Sequence, residues 1–222
     1  MTTLTNVRYD LNHGAPRRLL NESLERYAAT LPAGAEILEI GAGHYDHGPL
    51  FPEQRIVRFD MDPDQEPDIV GDAHAMPIAD GSFDHALCLS VLEHVRDPYQ
   101  VVRETFRVLR PGGQVFAWVP FTFAVHGFPI DVSRFTREGL MVVYEEAGFE
   151  IVRADAERYS GAFMNLSNAV HFTLPRRSHR RWVRGANRAL FLAARAGYPL
   201  DRRLKLSRLY AGTEVVARKP TA

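Results

Sequence analysis

Cysteine is all but absent. Cys88 is the only one in 222 residues, which excludes an internal disulfide and any zinc site built on thiolates, and leaves a lone thiol whose expected place is the core. No stretch approaches the roughly 20 consecutive apolar residues that a membrane-spanning helix needs. The opening residues, MTTLTNVRYDLNHGAPRR, lack the charged-then-apolar plan of a secretory leader, so the expected location is cytoplasmic. Internal repeats and low-complexity tracts are lacking too. Between Pro175 and Tyr210 acidic residues are nearly missing: Asp201 stands alone against a run of basic residues that includes Arg176, Arg181, Arg188, Arg195, Arg203 and Lys205. Formal net charge is +0, so the rest of the chain is net acidic, and the basic block either meets an anionic partner or docks on the chain's own acidic body.

What is present is enough for one well-buried core: 45% hydrophobic residues and 24% charged. Apolar residues at helical spacing predict an amphipathic helix over 15–31, stopped by Pro32 and Gly34. Short apolar runs follow at 35–40, 55–59, 68–70, 83–89 and 114–119, each ending at a polar or glycine-bearing turn. Between them the clearest helix is 97–109, with Asp97 as N-cap, Pro98 in the first turn and Gly112-Gly113 beyond the end. Thr136 is placed to cap a helix over 137–147, and a strand resumes at 149–153. A last strand, 213–217, comes after the basic stretch. Strands alternating with helices of about a dozen residues predict a doubly wound, mostly parallel α/β sheet covered on both faces. The expected organisation is one domain over 1–222: an N-terminal helix (15–31), a core (35–158), a basic helical insertion (160–209) and the closing strand (213–217).

In an open parallel sheet, ligands bind beyond the carboxyl ends of the strands. The first strand runs into Glu39-Ile-Gly-Ala-Gly43, where Gly41 and Gly43 carry no side chain to keep backbone from a ligand. Asp60 stands at the end of the second strand, suited to accept from ribose hydroxyls. A dinucleotide fingerprint needs a further glycine where this chain has Asp46, which argues against a nicotinamide or flavin pyrophosphate on this turn.

Ile37-Leu-Glu-Ile-Gly-Ala-Gly43, Asp60, Gly71-Asp-Ala-His-Ala-Met-Pro77, Gly81-Ser-Phe-Asp84, Val91-Leu-Glu-His94 and Val108-Leu-Arg-Pro-Gly-Gly113 follow in order. In that order and spacing the chain resembles class I S-adenosylmethionine-dependent methyltransferases, most of all the subgroup with quinone-biosynthesis and other small-molecule enzymes. The resemblance covers about residues 30–155 and implies a Rossmann-like, seven-stranded sheet. It also implies S-adenosyl-L-methionine as cofactor. Gly41 and Gly43 would then pass under its methionine part, with Glu39 supporting the loop. Asp60 would take the ribose hydroxyls and Met61 would pack near the adenine. Asp72 and the Ala73 amide would meet the adenine edge, and the backbone at Leu89 and Ser90 the methionine end. Where the family often has another small residue after Gly43, this loop reads His44-Tyr-Asp-His47, whose bulky side chains either reach the acceptor or reshape the cofactor pocket.

Methyl transfer is an in-line displacement, so the enzyme's main task is to hold the acceptor atom at attack distance. A base is needed only where the acceptor starts with a proton. His126, after the fifth strand, is the candidate base, weighed against a solvated loop histidine. His94 is assigned to a helix after the fourth strand with a structural or cofactor-shaping role, and Asp131 with Arg134 to bracing a loop. No cluster of carboxylates and histidines stands at convincing ligand spacing, so no metal is expected.

In the basic block, a helical wheel over 178–197 sets Arg181, Arg184, Arg188 and Arg195 on one stripe, opposite Trp182, Ala186, Ala189, Leu190 and Ala193. Such a helix covers the acceptor pocket with its arginines in water, or lies on an anionic membrane surface. Nucleic acid is the less favoured partner. The expected function is methyl transfer to O or N of a small-molecule acceptor such as a sugar, a secondary metabolite or a lipid-linked intermediate. The alternatives are a cofactor-binding partner module without catalysis and an RNA methyltransferase. The absence of an Asn/Asp-Pro-Pro-aromatic tetrapeptide, where Ser90-Val-Leu-Glu93 stands, speaks against attack on a flipped base.

Overall fold

A computed structural model describes residues 15–127, 130–173, 181–204 and 209–221. Its elements are α1 (Ala15–Ala28), β1 (Glu36–Ile40), β2 (Arg55–Asp60), β3 (Ile69–Val70), β4 (Phe83–Leu89), α2 (Pro98–Val108), β5 (Leu109–Pro120), α3 (Arg137–Glu146), β6 (Glu150–Asp155), α4 (Ala162–Thr173), α5 (Arg181–Ala196), α6 (Tyr198–Leu204) and β7 (Gly212–Arg218). The seven strands form one sheet in the order β3-β2-β1-β4-β5-β7-β6. β1 pairs in parallel with β2 and β4, and β4 with β5, while β7 runs antiparallel to β6. The order reverses between β1 and β4, the crevice where a doubly wound sheet takes its ligand.

The central strands are apolar because both faces are covered. Leu38, Ile40, Ala86, Cys88, Val115 and Ala117 are fully buried in one cluster with Val101, Val102, Leu140 and Tyr144. Cys88 is the expected core thiol, and burial pushes its pKa up to about 12. The Asp97 carboxylate caps α2 by accepting from Gln100 N at 2.9 Å, and Thr136 Oγ caps α3 by accepting from Gly139 N at 3.0 Å.

Two expected boundaries shift. The N-terminal helix ends at Ala28 rather than 31. β5 starts at Leu109, directly after α2, rather than at Gln114, so Gly112 and Gly113 lie inside a strand. The long-range partner explains this: a Cβ at Gly113 would sit 2.5 Å from Asp84 O, and Gly112 N and Gly113 O are paired with Lys219 backbone. The glycines allow close strand approach where the β4–β5 register shifts.

By contact, the described residues fall into two units: those of 1–23, 120–125 and 156–212, and those of 24–119, 126–155 and 213–222. Within the first, Asp201 accepts from Phe163 N and Met164 N at the start of α4. In α5, Arg188 is exposed, but so are Ala189, Leu190 and Ala193 from the expected apolar side, while Ala194 is buried. The helix packs against α4. Residues 178–180 of the expected helix lie outside the described residues. Among the described residues no helix is long and apolar enough to cross a membrane.

Candidate active site

β1 ends at Ile40, and the chain turns through Gly41 and Gly43 with φ of +67° and +52°. Gly41 has a second reason to be glycine: a Cβ there would lie 2.5 Å from Val91 Cγ2. The amides of Gly41 and Ala42 donate to Phe59 O at 2.8 and 3.1 Å. Asp60 accepts from Gly43 N through Oδ2 at 2.8 Å and from Asp62 N through Oδ1 at 2.9 Å, and Arg58 donates to Gly43 O at 2.6 Å. The expected ribose carboxylate is thus also the brace of the glycine turn. Each of its oxygens retains acceptor capacity.

In the loop His44-Tyr-Asp-His47 it is His47 that turns toward the core. Its ring is turned inward, with only 5% of the residue exposed, and its Nδ1 pairs with Glu39 Oε1 in the core. Tyr45 stacks on the outer face of that ring, with centroids 6.0 Å apart. The other Glu39 oxygen, Oε2, is buried without a hydrogen-bond partner among the described residues. An orphaned buried carboxylate oxygen next to a bare glycine turn suits a cationic ligand, and the implied cofactor is cationic and carries no phosphate.

On the same edge, Met61 is 63% exposed. Asp72 is largely exposed too, and it pairs with His74 Nδ1 at 2.7 Å. It also accepts from the His74 amide, which, together with the ring, holds its carboxyl below the usual range. Ser90, at the end of β4, takes a left-handed φ of +57° while its amide donates to Trp118 O at 2.8 Å. Strain of this kind in a non-glycine residue concentrates at functional sites. No local signal in the sequence announces it.

Beyond β4 and β5 the structure joins residues that lie far apart in sequence. The expected helix at Glu93-His94 is a short 3₁₀ turn, Leu92–His94, because the chain must fold back to meet the loop after β5. Val132 N donates to Glu93 O at 2.9 Å, and His94 Nδ1 bonds Ile130 O. The rings of His94 and His126 meet edge to face, 4.8 Å apart at 85°. His126 Nδ1 lies 3.3 Å from Asp131 Oδ2, and the His126 amide donates to the same oxygen at 2.9 Å. Arg134 grips both oxygens of Asp131, as the expected brace, and holds that carboxyl well below the usual carboxylate range. Burial pushes the His94 pKa down.

The spacing gave no sign of a ligand cluster, yet one ligand atom each from Glu93, His94 and His126 lies within 4.8 Å of the others. Phe121 packs on Tyr210, with centroids 4.7 Å apart. Phe128 lies outside the described residues.

Residues 52–117 match a family profile described as a methyltransferase domain. A ubiquinone biosynthesis O-methyltransferase from Pseudomonas paraeruginosa is 52% identical over 44 residues, 20% of this chain and 18% of that protein. The chain spans between 15% and 38% of the length of the first curated relatives it matches. Among solved structures, the [4+2]-cyclase SpnF superposes with a TM-score of 0.64 at 19% identity, covering 91% of this chain and 81% of that one. The phosphoethanolamine N-methyltransferase 2 of Haemonchus contortus, solved with phosphomonomethylethanolamine and S-adenosylhomocysteine, gives 0.60 at 14% identity, covering 93% and 54%. Sheet order and superposition give this chain the fold of these structures, and its residues 52–117 carry the methyltransferase-domain match.

Proposed function

We propose that the chain transfers a methyl group from S-adenosylmethionine to an oxygen or nitrogen of a small-molecule acceptor. The observation that supports this is that the Glu39–Gly43 turn with Asp60 follows β1 and β2 and the loop with the His126–Asp131 pair follows β5, all at carboxyl ends of strands of one sheet. The cofactor, when bound, supplies an electrophilic methyl carbon on a sulfonium. Glu39, Gly41, Gly43, Asp60, Met61, Asp72, Ala73, Leu89 and Ser90 are the residues assigned to hold it. Glu39 offers negative charge, Asp60 accepts hydroxyl protons, and Met61 offers an apolar surface.

Asp131, fixed by Arg134, orients the His126 ring through Nδ1, and His126 is the residue assigned to take the acceptor's proton. With the cofactor held by those residues, its sulfonium would supply the methyl group and depart as a neutral thioether, while His126 would accept the proton of a hydroxyl or ammonium acceptor. Removing a positioned base of this kind costs about 10²–10⁴-fold in rate. The O-methyltransferase and N-methyltransferase relatives favour a heteroatom acceptor. The cyclase sharing the fold is a reminder that fold alone does not fix the reaction.

The test is thioether release from S-adenosylmethionine against panels of hydroxylated and amine small molecules, with His126→Ala alongside. Turnover on some acceptor, cut by about a hundredfold or more in the variant while cofactor affinity is unchanged, supports the reading. Turnover that His126→Ala leaves intact removes the base. Tight cofactor binding without turnover on any panel member favours the non-catalytic module.

A further inference from the structure

We propose that the outward side of α5, with α6, lies on an anionic lipid surface. This goes beyond methyl transfer and holds whatever the acceptor. Residues 181–204 contain six arginines, no lysine or glutamate, and the single acid Asp201. Asp201 is 5% exposed and is spent on the Phe163 and Met164 amides, so no carboxylate of these two helices offsets their positive charge at the surface. Arg188 and Arg203 are exposed. In the sequence Arg176, Arg177, Arg180, Lys205 and Arg208 flank the same stretch.

Positive charge alone suits several partners, and the apolar residues narrow the choice. At about 100° per residue, Gly185, Ala189, Leu192, Ala193 and Ala196 fall in one sector of about 100°, opposite the buried Ala194, and all five are exposed. Arg188 borders that sector, and the positions of Arg181, Arg184 and Arg195 share its register to within about 40°. A helix that only met water would carry polar residues over its whole outer side. Here an apolar strip stands outside beside Arg188, with Leu192 39% exposed. α6 adds the exposed Pro199 and Leu200.

A lipid headgroup layer satisfies both halves of this surface at once. Leucine and alanine enter the acyl boundary, while arginine keeps its guanidinium at the phosphates and rests its stem on apolar groups. At 16 residues, and with arginines along it, α5 falls short of the roughly 20 apolar residues that span a bilayer, so it lies in the interface. The other partners each leave something unmet. A second copy of the chain would set like charge against like charge. A nucleic acid would engage the arginines and leave the apolar strip in water.

The experiment is cosedimentation of the full chain with vesicles of phosphatidylglycerol and phosphatidylcholine, set against vesicles of phosphatidylcholine alone. The variants are Arg188→Glu combined with Arg203→Glu, Leu192→Ser, and as control Arg55→Gln, an arginine of β2 whose side chain is 71% exposed. Circular dichroism checks the helix content of each. A basic side chain near an anionic surface is worth about fivefold in binding, so the double variant should bind the anionic vesicles at least about tenfold more weakly. Leu192→Ser should lose about threefold or more, Arg55→Gln should lose nothing, and neutral vesicles should hold little of the chain. Absence of binding to the anionic vesicles at low salt, equal binding to both vesicle types, or binding that the double variant keeps, overturns the proposal. So does a loss in the double variant with none in Leu192→Ser, the pattern that a nucleic acid or another polyanion gripping charge alone would give.

Discussion

Replacing Gly41 by alanine should be costly, and the structure separates the cost into two parts. At φ +67° a side-chain-bearing residue pays roughly 1–2 kcal/mol. The new Cβ would also lie 2.5 Å from Val91 Cγ2. Val91 is buried and β-branched, so it cannot swing aside cheaply, and overpacking of this kind costs about 1–3 kcal/mol. Gly41→Ala should therefore lose about 2–5 kcal/mol, a large share of the roughly 5–15 kcal/mol that holds a domain folded. In a Val91→Ala background the clashing atom is gone and only the backbone part should remain, about 1–2 kcal/mol. Gly43→Ala, at φ +52° with nothing closer than Gly41 O at 4.0 Å, should also cost only the backbone part. The assay is urea unfolding followed by circular dichroism for the four members of the Gly41/Val91 cycle. An identical Gly41→Ala penalty in both backgrounds, or one below about 0.5 kcal/mol, would refute the steric argument.

Further expectations follow from the polar groups. Arg134→Met leaves Asp131, whose side chain is 3% exposed, without its guanidinium; a loss of roughly 1.5–3 kcal/mol is expected in thermal unfolding. Adding Asp131→Asn should recover part of it, and no recovery would show that the pair is not the source. His85 is buried with its Nδ1 accepting from Gln114 N at 3.3 Å, and burial lowers its pKa. The unfolded chain therefore binds this proton first as pH falls, so His85 contributes stability above about pH 6.5 that is lost as pH drops through the folded value. Denaturation midpoints measured across that range should fall less steeply in His85→Gln, and equal slopes would count against the assignment. His47→Ala leaves Glu39 without its buried partner and should weaken S-adenosylhomocysteine binding by about tenfold or more, since unpairing a buried charge disturbs its placement by more than about 1.4 kcal/mol. An unchanged dissociation constant would make His47 a mere filler of the loop.

The sheet was legible because its signals are local. Apolar runs ending at glycine, aspartate or serine mark β1, β2 and β4, and the caps at Asp97 and Thr136 act on amides three residues away. The early start of β5 was not legible, since it depends on Gly113 meeting Asp84 and on the pairing of Gly112 and Gly113 with Lys219. The candidate site divides in the same way. Glu39, Gly41, Gly43 and Asp60 follow from a strand–turn pattern. The inward turn of His47, the strain at Ser90, and the meeting of Glu93, His94 and His126 depend on loops brought together from different strand ends, which no periodicity encodes. The helical wheel over 178–197 found the helix, but Ala189, Leu190 and Ala193 of its apolar side are exposed, because a wheel ranks residues by polarity and cannot know which of them a neighbour covers.

Isothermal titration of the chain with S-adenosylmethionine and S-adenosylhomocysteine, set against Asp60→Asn, tests the central claim most directly. The Asn side chain keeps one of the two acceptors that hold the turn while removing the charge that is assigned to the ribose hydroxyls. Binding at micromolar concentration that weakens by about tenfold or more in the variant, measured where the variant remains folded, is the predicted result. Absence of binding by either ligand would contradict the account and leave a methyltransferase fold without its cofactor.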